Sequence, residues 1–160
     1  MNKEEFINCS FENLKETPFL QYVSGYKYQS RNDMVFEVSI FPEEDIVTDL
    51  IALRKDGWLW VSKYFAWDGC SGLTFDTCTN MCAGLAHDAL YFLMRMGLLS
   101  LTEKGKADFQ LRRIMLRDGA FPFRAKYYEK AVNLFGCKCA SPKGARKILI
   151  APHLAIGEKV

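Results

Sequence analysis

The chain has 160 residues, 49% of them apolar and 25% charged, proportions that exclude a disordered tract and suit one domain with its own hydrophobic core. Its formal net charge is only +2, with Lys and Arg dispersed apart from Arg112, Arg113 and the stretch 143–147, so the charge balance gives no nucleic-acid signal. The longest apolar run, residues 89–94, is far short of the roughly 20 residues a transmembrane helix needs.

Met1-Asn-Lys-Glu-Glu5 is charged and no long apolar run follows, so no secretory signal is expected. Cys9, Cys70, Cys78, Cys82, Cys137 and Cys139 are accordingly read as reduced thiols in a cytoplasmic setting. Residues 1–33 carry no firm periodicity, and 11–33 are turn-prone. Residues 34–41 alternate, are rich in β-branched and aromatic side chains, and stop at Pro42, which predicts a strand. Residues 46–53 and 58–64 are two further strand candidates, and the intervening Arg54-Lys55-Asp56-Gly57 carries the Asp-Gly signal of a hairpin.

Residues 66–77 read as a loop from their Gly, Asp and Ser content. Asp76, Thr77 or Thr79 is then expected to cap a helix running to about Met96, with Gly97 at its C′ position. A second helix is expected from about Leu101 to Arg117 or Asp118, closed by Gly119. A third runs from about Pro122 to Phe135, ended by Gly136. The tail from Cys137 contains Lys, Gly and Pro, with a short strand expected at 147–151. The sum is an α+β fold: a small antiparallel sheet in the N-terminal half, then three packed helices. It is organised as one domain, β-rich over about 1–66, a site loop over about 66–77, helical over about 78–136, and a tail over 137–160.

The first of the three helices is the informative one. It is apolar almost all the way round, which predicts burial, yet it carries His87 and Asp88 side by side. Burying even an uncharged polar group without a partner costs roughly 2–7 kcal/mol, so both side chains must be satisfied from elsewhere in the fold. About 100° separates them around the helix, so they look towards different partners. His87 shares a face with Ala83, Leu90, Tyr91 and Met94. Asp88 lies with Gly84, Tyr91 and Arg95.

On the second helix Asp108, Leu111 and Met115 fall on one stripe, placing a carboxylate among apolar residues. A short connection favours antiparallel packing of the two helices, which would let Asp108 accept from His87. An Asp–His pair of that kind prepares an imidazole as a general base. The alternatives are a satisfied core histidine and a local Asp108–Arg112 pair at i, i+4.

The loop Asp68-Gly69-Cys70-Ser71-Gly72 is the second candidate. Its glycines free the backbone to aim carbonyls inward, and Asp68 with Asp88 would offer hard oxygen ligands to a cation such as Ca²⁺. The alternative is a strand-end turn in which Asp68 bonds its own backbone. Gly69-Cys70-Ser71-Gly72-Leu73 is not a nucleophile elbow, because Leu73 stands where the second glycine belongs. Cys78, Cys82, Cys70 and His87 lack the C-x-x-C spacing of a structural zinc site. Arg124 and Tyr128, at i, i+4 beside Tyr127, offer an anchor for a phosphate or for a carboxylate such as Asp118, or else form a local cation–π pair.

The order Phe65-Ala-Trp-Asp68-Gly-Cys-Ser71-Gly72, Asp76-Thr77, Thr79-Asn80, Ala86-His87-Asp88-Ala-Leu-Tyr91, Lys106-Ala107-Asp108-Phe109, Arg124-Ala125, Tyr128, Val132 and Phe135-Gly136 resembles an uncharacterised family of phage- and prophage-encoded proteins. The resemblance covers about residues 46–140 and carries no assigned activity. The run Cys82-x4-His87-Asp88-x2-Tyr91 is also similar to the helix motif of secretory phospholipases of the A type. That likeness implies His87 as general base to water, Asp88 and the Asp68–Gly72 loop as Ca²⁺ ligands, and Asp108 as the group orienting the imidazole, with Tyr91 beside them. Leu90 stands where the phospholipase motif has a cysteine, and the cysteines that brace its helices have no counterparts here.

Two functions follow as expectations. One is a phage-encoded hydrolase in which a His87–Asp108 dyad, with Tyr91 and a cation assisting, activates water against an ester or lipid substrate. The other is a non-enzymatic phage protein, a virion or tail accessory or a host-defence antagonist, in which the same residues form a buried structural network. Its setting would be the host cytoplasm or the virion, and its partner a host or virion protein. An enzyme requires the His87 ring to border a cavity open to solvent; a structural role requires both His87 and Asp88 to be fully enclosed.

Overall fold

The computed structural model describes residues 1–16, 22–23, 28–68 and 76–144. A short helix α1 (Lys3–Asn8) opens the chain, followed by a 3₁₀ turn at Phe11–Asn13. The strands are β1 (Tyr22–Val23), β2 (Tyr28–Ser30), β3 (Met34–Glu37), β4 (Ile46–Val47), β5 (Ile51–Leu53), β6 (Trp58–Val61) and β7 (Ala66–Trp67). The second half holds α2 (Met81–Arg95), α3 (Lys104–Arg117), α4 (Pro122–Phe135) and the single-turn α5 (Cys137–Ala140). The fold is α+β. Among the described residues no helix is long and apolar enough to cross a membrane.

The strands form two antiparallel sheets, one in the order β1-β2-β7 and the other in the order β3-β6-β5-β4. The larger sheet is buried on both faces, and its side chains sort by strand parity. Met34, Phe36, Leu59 and Val61 pack into the core shared with the helices. Val35, Trp58 and Trp60 pack on the opposite face with Ala52, Phe6 and Leu14. The N-terminal segment therefore covers the face that the helices leave open. Arg54 fixes it there, donating from Nη1 to the Phe6 and Cys9 carbonyls at 3.1 and 2.8 Å. An Asn2–Glu5 capping box starts α1, and that Asn-x-x-Glu spacing is the sequence signal for a helix in a stretch that shows no other periodicity.

Residues 46–53 do not form one strand. They fold back on themselves as β4 and β5, pairing Ile46 with Leu53 and Val47 with Ala52. The reversal is held by Thr48, whose Oγ1 accepts from the Ile51 amide at 2.9 Å. The following hairpin is the expected one: Gly57 takes φ +86°, and a Cβ there would meet the Val38 carbonyl at 2.6 Å, so only glycine fits. Strands β3 and β6 end at Glu37 and Val61, earlier than the alternation suggests. The segment read as a loop from Ala66 begins instead with β7, paired to β2 through Tyr28↔Trp67. The strand expected at 147–151 lies outside the described residues.

Helix α2 is the centre of the bundle, buried on nearly every side. Its N-cap is Asn80, without a side-chain cap bond; Asp76, Thr77 and Thr79 do not fill that place. Asn80 Oδ1 instead accepts from the Thr77 amide, and Asp76 accepts from Tyr28 Oη at 2.9 Å. Gly97 and Gly119 close α2 and α3 at φ +71° and +87°. In both, the two bonds of a Schellman motif are made, Leu98 N–H to Leu93 and Gly97 N–H to Met94, then Ala120 N–H to Met115 and Gly119 N–H to Leu116. The chain enters α3 through a 3₁₀ turn at Leu101–Glu103, capped by Ser100. Gly136 ends α4 but stays right-handed, φ −74°, and leads straight into α5.

Candidate functional site

Helices α2 and α3 pack side by side and bring together the polar residues that the sequence singles out. His87 Nε2 lies 3.0 Å from Asp108 Oδ1. Tyr91, one turn further along α2, donates its hydroxyl to the same oxygen at 2.7 Å. An ionised carboxylate only accepts, so Nε2 carries the proton and donates. The His87 and Tyr91 rings lie against each other, centroids 4.0 Å apart.

The other carboxylate oxygen is taken by a residue the sequence reading passed over. Lys104 Nζ donates to Asp108 Oδ2 at 2.6 Å, and also to the Val132 and Asn133 carbonyls at 3.1 and 3.4 Å. Those carbonyls belong to the last turn of α4, where a cation is favoured by the helix dipole. The Lys104-x3-Asp108 spacing is itself the signal for the pair; Arg112, at i+4 from Asp108, bridges instead to Glu129 on α4 at 3.3 Å.

Gly136 completes the arrangement. A Cβ at that position would collide with the Tyr91 hydroxyl and with the Val132 carbonyl, so the absence of a side chain lets α2 approach the α4–α5 junction. Next to it, Arg95 Nη1 donates to the Cys139 carbonyl at 2.9 Å. One carboxylate thus ties α2, α3 and the end of α4 together.

Asp108 is fully buried. Burial by itself would raise its pKa, but the bonds from His87, Lys104 and Tyr91 outweigh that and hold it below the usual carboxylate range. Burial likewise disfavours a charged imidazole, yet the bond to Asp108 and the nearby Asp88 more than offset it, so the His87 pKa is raised. Burial, with Asp108 beside it, pushes the Tyr91 hydroxyl upward. Asp88 Oδ1 stands 3.6 Å from His87 Nδ1. Asp88 and Asp108 thus flank the imidazole on its two nitrogen sides, and Asp108 also pairs with Lys104.

The His87 side chain is 7% exposed, while the Asp88 side chain keeps 31% of its surface in solvent. A depression of about 180 Å³ is lined by Gln29, Ser30, Arg31, Lys63 and Tyr64, none of them a member of this cluster. Asp68 follows β7 directly, whereas Gly69, Ser71 and Gly72 lie outside the described residues. Among the described residues there is no group of three or more His, Cys, Asp or Glu side chains placed to hold a metal ion. Cys9, Cys78, Cys137 and Cys139 are free thiols. Arg124 sits 5.4 Å over the Tyr128 ring and donates to its hydroxyl at 3.2 Å; Asn80 Nδ2 donates to the same hydroxyl, joining α4 to the start of α2. No family model, curated protein or solved structure matches the chain.

Proposed function

We propose that the His87–Asp108 cluster is a structural latch, and that the protein acts by binding a partner and not by hydrolysis. The observation that carries this reading is the enclosure of the imidazole, with one ring nitrogen committed to Asp108. Nε2 donates to Asp108 and Nδ1 faces Asp88, within a ring almost wholly withdrawn from solvent. A general base needs one nitrogen within reach of the water or hydroxyl it deprotonates. The resemblance of the motif order to phage- and prophage-encoded proteins supports reading such a binding protein as a virion accessory or a host-defence antagonist.

A second reading keeps one supporting observation. Asp88 is part-exposed and beyond hydrogen-bond length from Nδ1, so rotation of that one side chain would open Nδ1 towards solvent while Asp108 still oriented the ring. In that case His87 serves as base, Asp108 orients it, and Asp88 with Asp68 offers oxygen to Ca²⁺.

The readings part on His87→Gln and Asp108→Asn, measured for both melting and ester hydrolysis. A latch predicts that Asp108→Asn costs about 3–5 kcal/mol, since it leaves the Lys104 ammonium without its anion, and His87→Gln about 1–3 kcal/mol. Hydrolysis of a chromogenic short-chain ester should equal the uncatalysed rate with or without Ca²⁺, and Ca²⁺ should leave the melting temperature in place. Saturable hydrolysis by the wild type, lost in His87→Gln with melting unchanged, would establish the catalytic reading instead.

A further inference from the structure

The outer face of α4 carries a feature that the latch does not use. The helix buries Ala125 and Tyr128 and half-buries Val132, and its opposite side is exposed. At 100° per residue Phe123, Tyr127 and Leu134 fall within roughly 40° of one another on that exposed side. Phe121 and Phe123 are 81% and 84% exposed at one end, and Leu134 and Phe135 are 74% and 73% exposed at the other. About 16 Å of helix separates the two ends. Large apolar side chains so fully exposed stand out as a ridge and do not line a groove. Lys126 and Lys130 lie between them on the same face, both exposed.

The charge around this ridge has one sign. Residues 121–144 contain Arg124, Lys126, Lys130, Lys138 and Lys143 against the single acid Glu129, and Glu129 is turned to Arg112 on α3. The whole chain is only +2, so the rest of it is net negative and the basic charge is concentrated here. Self-pairing of the ridge is disfavoured. An antiparallel copy would set Lys126 against Lys130 of the other molecule, because the two lysines lie symmetrically about the helix midpoint. A convex row of aromatic and aliphatic side chains interleaved with lysines has the make-up of a helix that lies in the plane of an anionic bilayer, its apolar groups among the acyl chains and its ammonium groups at the headgroup phosphates.

We propose that the outer face of α4 is a docking surface for an anionic lipid bilayer. The proposal goes beyond the latch reading and does not depend on it, since none of the ridge residues bonds to His87 or Asp108. Cosedimentation tests it, with vesicles of phosphatidylcholine alone and of phosphatidylcholine mixed with about one-third phosphatidylglycerol. The wild type should pellet with the anionic vesicles and not with the neutral ones, and added salt should release it. Lys126→Gln and Lys130→Gln should each weaken binding roughly fivefold, and Phe123→Ser combined with Leu134→Ser should abolish it. All of these variants should melt with the wild type, because the replaced side chains are exposed. A wild type that remains in the supernatant with anionic vesicles overturns the proposal, as does undiminished binding by the serine variant. Concentration-dependent dimerisation without vesicle binding, removed by Phe123→Ser, would assign the ridge to a second copy and overturn it equally.

Discussion

Asp108 is the residue on which the interior depends, because it is the single acceptor for three donors arriving from two helices. Its ionisation and that of His87 give the protein opposite sensitivities at the two ends of the pH scale. The His87 pKa is raised above 6.5, so the stability it contributes is complete below that value and declines as pH rises through the higher folded-state pKa. The Asp108 pKa is lowered from 3.8, so its contribution is complete above that value and is lost as pH falls through the depressed one. Melting temperature should therefore decrease from about pH 6.5 upward, and the difference curve between wild type and His87→Gln should isolate this slope from the titration of the thiols. A difference curve that is flat above pH 6.5 would mean that His87 is neutral throughout. The meeting of His87 with Asp108 was legible from the helical spacing of two amphipathic segments. The Lys104 contact with the α4 carbonyls was not, because it depends on where a third helix ends, which no local pattern encodes.

At the scale of elements, glycine does two different things among the helices, and only one of them is visible in the sequence. Gly97 and Gly119 close helices in the left-handed region, and their position after an apolar-periodic run announces it. Gly136 has an ordinary right-handed backbone, and its need for a missing side chain comes from Tyr91, 45 positions earlier in the chain. Gly136→Ala should therefore destabilise by about 1–3 kcal/mol, the range for overpacking a filled site, even though alanine is the better helix former. Gly105→Ala is the matched control. That position sits in α3 with nothing near its Cβ, and the same change should stabilise by about 0.4–1 kcal/mol. Equal effects at the two positions in urea denaturation would refute the packing argument. The hairpin within 46–53 escaped the sequence for a related reason. Ile46, Val47 and Ile51 all favour strands, and the reversal, closed by the Thr48 amide and hydroxyl, has no Gly or Pro to mark it.

Across the whole molecule, the larger sheet is the partition between two cores. Its helix-facing side belongs to the main core and its other side is closed by Phe6 and Leu14 from the N-terminal segment. That segment is also tied to α3, where Glu16 accepts from Arg113 at 3.2 Å and from Arg117 at 3.0 Å. Phe6 is fully buried, so Phe6→Ala should cost about 3–5 kcal/mol, as much as a deletion in the centre of the bundle. If chemical denaturation showed less than about 1 kcal/mol, the N-terminal segment would be an accessory cover and not part of the folding unit.

The latch also has a hereditary consequence. Because a single carboxylate accepts from His87, Tyr91 and Lys104 while Gly136 makes room for the tyrosine, none of these positions can drift alone without leaving a buried donor or acceptor unmatched. Descendants of this chain are free to rewrite its surface, yet are constrained to keep or exchange these five residues as a set. The spacing His-x3-Tyr, Lys-x3-Asp and a distant Gly is thus expected to change as a set or not at all.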